Sequence, residues 1–141
     1  MTIKVSRHTK HLSNGEEFIT YNVSPELIEF QLALNAIAHW ENLKSLVEFA
    51  ISRHGYGNTD SMCGITYESD LDDYDREIEN VLIPIGQIQA YSDHFEVKEK
   101  NITEVEYLMI LKSFFEANYE FEFAKTINNE IQKKKTTYNK T

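Results

Sequence analysis

Thr103 and Glu106 form a T-x-x-E pair at the head of an apolar series, Val105, Leu108, Met109, Leu111 and Phe115, and no other stretch limits the fold so tightly. The threonine hydroxyl can accept from the amide three residues on while the glutamate reaches back to the threonine amide, which satisfies two orphan donors at a helix start. The apolar spacing that follows predicts an amphipathic helix with one face against a core. Phe121, Ala124, Ile127 and Ile131 predict a final helix that runs out into KKKTTYNKT, about residues 133–141, where a frayed basic tail is expected.

Two more helices are expected upstream. Ser24, Pro25 and Glu26 read as a helix start, because serine caps amides and proline at the first helical position loses no hydrogen bond. In ELIEFQLALNAIAHW, Leu27, Phe30, Leu34, Ile37 and Ala38 fit a helical face, although Ile28, Phe30, Leu32 and Leu34 also alternate as a strand would; helix is the reading adopted. Leu43, Leu46, Val47, Ala50 and Ile51 define the next helix, with a stop at His54 and Gly55.

The middle of the chain reads as sheet. GYGNTDS is turn chemistry and MCGITYES a strand; Glu77 to Ile83 reads as a strand ending at Pro84, a turn passes through Gly86, and QIQAY is its antiparallel neighbour. FEVKE, after a turn at Asp93 and His94, is a third strand. Helices, strands, then helices imply an α+β fold: one domain over residues 1–141, with a small, mainly antiparallel sheet and helices packed on one face. A chain this long buries roughly 68–70% of its unfolded surface and needs no covalent staple.

Charge narrows the function. With 23 acidic and 14 basic residues the net charge is −9, which disfavours direct nucleic-acid binding, since that affinity comes largely from lysine and arginine displacing counterions. No segment reads as an export signal or a membrane span, and the single cysteine, Cys63, fits a reducing cytosolic home and a buried packing role. Asp60 to Glu79 holds eight carboxylates against Arg76 alone, directly ahead of the apolar run VLIPI.

Chemical uses of that block meet obstacles. Counted as a calcium loop from Asp73, the obligatory glycine position is Ile78 and the closing glutamate position is Pro84. His8 and His11 are spaced three apart, but no HExxH glutamate or cysteine pair accompanies them; His39 beside Trp40, and His54, read as packing and helix-end residues. There is no nucleophile elbow and no phosphate-binding glycine loop. An acid–base pair would need a desolvated carboxylate, against the hydrophilic crowding of ESDLDDYDREIE. No catalytic residue, metal or cofactor is therefore assigned. A concentrated negative surface instead suits recognition of a basic protein, with Tyr67, Tyr74 and Tyr91 as rigid contact area. A small enzyme or metal-dependent module, or a regulatory subunit whose VLIPI run pairs at a sheet edge, are the alternatives.

The order LKSLVEFAISRHGYG, MCGITYES, LDDYDREIENVLIPIG, QIQAY and NITEVEYLMILKSFF, over roughly residues 43 to 115, resembles immunity proteins that bacteria with contact-dependent growth inhibition use against toxic ribonucleases. The resemblance implies a cytosolic, non-catalytic antitoxin whose partner is a cognate toxin domain. Its acidic surface would cover the toxin's basic cleft, with Tyr67, Glu68, Asp70, Asp72, Asp73, Tyr74, Asp75, Glu77, Glu79 and Tyr91 as the candidate contact residues.

Overall fold

The computed structural model describes residues 3–37, 43–58, 63–92 and 98–139. It opens with a hairpin that the sequence did not lead one to expect. β1 (Lys4–His11) and β2 (Glu17–Ser24) form an antiparallel ribbon, with Lys4 opposite Ser24 and His11 opposite Glu17. Asn14 and Gly15 make the turn: Gly15 sits at φ 86°, its amide donates to the Leu12 carbonyl, and the Asn14 side chain accepts from the Glu16 amide. Asn-Gly is a turn pair that favours this geometry.

Only the root of the ribbon meets the core. Ile3, Val5, Tyr21 and Val23 are buried, whereas residues 7–18 are exposed throughout. The edges at the root are closed by side chains in place of further strands. The Val5 amide donates to Ser113 Oγ at 2.7 Å, and the Tyr21 and Val23 amides donate to Asn35 Oδ1 at 2.8 Å and Gln31 Oε1 at 3.0 Å. Gln31 and Asn35 stand one turn apart on α1 (Ile28–Ile37), so one helix face does the work of a neighbouring strand. Because Ser24 is held in the ladder opposite Lys4 it does not cap that helix, which starts three residues later than Ser24-Pro25 suggests.

α2 (Lys44–Ser52) ends at Arg53, whose φ of 57° is left-handed, and not at Gly55. β3 (Tyr56–Asn58), β4 (Cys63–Tyr67), β5 (Gln87–Ser92) and β6 (Lys98–Thr103) then form one antiparallel meander in chain order. Tyr56–Asn58 of GYGNTDS is therefore an edge strand, and residues 59–61 of that expected turn lie outside the described residues. Glu77 to Ile83 is not a strand, and the neighbour of QIQAY is β4, with Ile65 opposite Ala90. β6 begins within the expected third strand. Asp60, Met62, His39, Trp40, the Asp93–His94 turn and residues 95–97 lie outside the described residues.

Alternation along the strands sends Ile65, Tyr67, Ile88, Ala90 and Ile102 to the inner face, in one cluster with Phe30 and Leu34 of α1 and with α4 (Glu104–Ala117). The Thr103–Glu106 box is formed as expected: Thr103 Oγ1 accepts from the Glu106 amide at 3.1 Å and Glu106 Oε1 from the Thr103 amide at 3.0 Å. Tyr107, Leu108, Ile110, Leu111, Phe114 and Phe115 are the buried apolar residues of that helix, each contributing about 1.5–3 kcal/mol before chain entropy is subtracted. α5 (Phe121–Asn139) packs on α4 and α2. It remains helical to Asn139, past the point where composition leads one to expect fraying, and within that stretch Lys134 reaches Glu104 and Lys133 pairs with Glu130. The fold is α+β with helices over the sheet's inner face.

Candidate functional site

The acidic block is built in three steps from the end of β4. A 3₁₀ turn, Glu68–Asp70, closes when Asp70 Oδ2 accepts from the Tyr67 amide at 3.1 Å and from the Gly55 amide at 2.7 Å. Gly55 permits this approach, since a Cβ there would collide with the Ile65 carbonyl and crowd Asp70. Buried Leu71 anchors the next step. Asp72 then caps α3 (Asp73–Glu77) through a reciprocal box: Asp72 Oδ1 accepts from the Asp75 amide at 2.8 Å and Asp75 Oδ2 from the Asp72 amide at 3.1 Å. Beyond it Asn80 turns left-handed at φ 55°, the Val81 amide donates to the Asp75 carbonyl, and residues 81–84 run as irregular chain.

The expected contact residues therefore divide. Glu68 pairs with Arg76 at 3.7 Å, and Asp70 faces His54 Nδ1 at 3.3 Å besides holding its two amides. Asp72 and Asp75 are spent on the helix cap. Asp73, Glu77 and Glu79 are exposed and make no ion pair among the described residues. Tyr74 is exposed, but Tyr67 is 0% exposed and belongs to the core, so its ring offers no area to a partner. Tyr91 lies on the outer sheet face over Gly57 and Gly64, where a Cβ at Gly64 would strike its hydroxyl. Burial, and secondarily Cys63, raise the proton affinity of Tyr91.

The apolar run beside the carboxylates is outward as well. Ile78, Leu82 and Ile85 are 63%, 78% and 90% exposed, on the same segment as Asp73, Glu77 and Glu79. Between α3 and residues 81–84 lies a pocket of about 370 Å³ lined by Glu68, Leu71, Arg76, Val81, Leu82, Ile83 and Pro84. Exposed apolar groups rimmed by charge are the make-up of an interaction surface.

A second cluster escapes the sequence reading. Glu104, 3% exposed at its side chain, accepts from Arg53 Nε through both carboxylate oxygens at 3.2 Å, and Lys134 Nζ stands 3.7 Å away. The Arg53 guanidinium lies 5.8 Å from the Tyr67 ring centre, and Tyr56 and Tyr107 join hydroxyls at 2.6 Å. The Tyr67 hydroxyl is buried without a hydrogen-bond partner among the described residues. The signal that could have revealed this cluster is Glu104 itself, an acid at a position where helical spacing calls for the buried face.

Burial is the main reason that Tyr56, Tyr67 and Tyr107 hold their protons well above the usual range. At Tyr67 the neighbouring Tyr56 and Glu104 add to it and Arg53 opposes it. All three are therefore neutral packing groups at physiological pH. Since the folded state binds these protons more tightly, the stability they contribute is complete below about pH 10, the unfolded value, and is lost as pH rises toward the folded values. An alkaline titration is expected to show tyrosinate absorbance from these three of the eight tyrosines appearing together with loss of far-UV circular dichroism. Gradual ionisation in an intact fold would contradict their burial.

No three or more His, Cys, Asp or Glu side chains converge as a metal-holding group, and no helix is long and apolar enough to cross a membrane, both among the described residues. Comparison with family models, with curated proteins and with solved structures finds no match.

Proposed function

We propose that this chain is an immunity protein: a non-catalytic antitoxin that binds a cognate nuclease toxin domain in the cytosol and covers its basic cleft. The observation that carries the reading is the pairing of outward Asp73, Glu77 and Glu79 with outward Tyr74, Ile78, Leu82 and Ile85 on one short segment. Carboxylates alone would steer a cationic partner; apolar groups beside them give the encounter something to desolvate and hold. A cleft that binds nucleic-acid backbone is lined by lysine and arginine, and fixed carboxylates compete there in the phosphates' place. The resemblance over residues 43 to 115 names the class of partner. The chain needs no cofactor for this role.

The test is co-expression with the C-terminal domain of the polypeptide encoded immediately upstream. A complex should survive size-exclusion chromatography, and its association rate should fall by about tenfold or more as salt is raised from low to several times physiological strength. The absence of a complex at both salt concentrations would remove the proposal.

A further inference from the structure

The pocket beneath the acidic surface narrows the kind of partner segment that fits, an inference that rests on the binding role just given. We infer that the cavity between α3 and residues 81–84 is a socket for one aliphatic or aromatic side chain of a basic protein segment, flanked on that segment by lysine or arginine. Leu71, Val81, Leu82, Ile83 and Pro84 line the socket with apolar groups, and its volume of about 370 Å³ accommodates a large side chain. Glu68 and Arg76 supply its polar lining, joined by a 3.7 Å ion pair that leaves Glu68 able to exchange Arg76 for an incoming cation.

Charge decides the flanks. From Glu68 to Glu79 the chain carries seven carboxylates against Arg76, and three of them, Asp73, Glu77 and Glu79, have no internal ion pair among the described residues. A neutral or acidic segment presenting the same apolar residue would bring it into a repulsive or uncompensated field. A basic segment gains from both the socket and its surroundings.

The test uses the full chain with labelled amide and methyl groups and three capped pentapeptides: Lys-Arg-Leu-Arg-Lys, Lys-Arg-Ser-Arg-Lys and Glu-Glu-Leu-Glu-Glu. The basic leucine peptide should shift the Leu71, Val81 and Ile83 methyl resonances and bind about tenfold tighter than the basic serine peptide, the difference expected for burying one leucine. The acidic peptide should leave those methyls unmoved. Leu82→Ser removes a wall whose side chain is largely outside the core, so it should weaken the leucine peptide to the level of the serine one without changing the melting temperature. Equal affinity of the leucine and serine peptides, with shifts confined to amides of residues 73–79, would overturn the socket and leave the acidic binding surface standing. Equal binding of the acidic peptide would overturn the charge requirement. If neither basic peptide perturbs residues 68–85, the socket and the binding surface both fall.

Discussion

Replacing Asp73, Glu77 and Glu79 together by lysine is expected to slow association with a basic toxin domain by about a hundredfold at low salt, with little change in stability. The three changes move the net charge from −9 to −3 and take residues 68–79 from −6 to 0, which cancels the field over the surface that the apolar residues share. Each side chain is exposed and without an ion pair among the described residues, so each substitution should cost within about 0.5 kcal/mol. The choice of positions matters. Asp72→Lys and Asp75→Lys would dismantle the reciprocal cap of α3, at about 1 kcal/mol each, and would disturb the socket wall along with the charge. Stopped-flow association across a salt series gives the readout. An unchanged rate in the triple variant would place the contact on another face.

Glu104→Gln carries the largest expected loss of stability from a single polar change, about 2–3 kcal/mol. The carboxylate is nearly inaccessible and serves two cations from distant parts of the chain, Arg53 after α2 and Lys134 on α5. Removing its charge leaves both without their partner while Arg53 stays fixed in a left-handed backbone. The figure lies below the cost of breaking a fully buried pair because Arg53 is one-third and Lys134 one-quarter exposed. At a urea slope of roughly 1–3 kcal/mol per molar the unfolding midpoint should drop by about 0.7–3 M with the slope unchanged. Exchanging all three groups for apolar ones, Arg53→Met, Glu104→Leu and Lys134→Met, should recover much of the loss, since desolvation then vanishes along with attraction. A loss below about 0.5 kcal/mol in Glu104→Gln would mean that solvent already screens the cluster.

The sequence states some of this and conceals the rest for identifiable reasons. The Thr103–Glu106 box is legible because a cap needs only groups within one turn, and β4 and β5 are legible from their β-forming residues and the turn at Gly86. The N-terminal ribbon is missed although Asn14-Gly15 announces it: beyond Val5, the strand residues Arg7 to His11 carry no apolar alternation, because that half of the ribbon is exposed. VLIPI misleads in the opposite direction. Its apolar residues line a socket or face solvent, and Asn80 in a left-handed turn followed by Pro84 denies the segment a ladder. Of the acidic block, the composition reveals the charge but not its division, since whether Asp70 holds the Gly55 amide or meets solvent depends on backbone fifteen residues away.

The hydrogen bond from Val5 to Ser113 spans 108 positions. On a ribosome adding about 5–20 residues per second, the amide edge of β1 waits roughly 5–20 s for its acceptor to be synthesised. Gln31 and Asn35 follow β2 within a few residues and can shield the opposite edge early. The nascent chain thus has a one-sided vulnerability: until the fourth helix exists, its first strand is a template for another chain's backbone, and chaperone demand during synthesis should concentrate there.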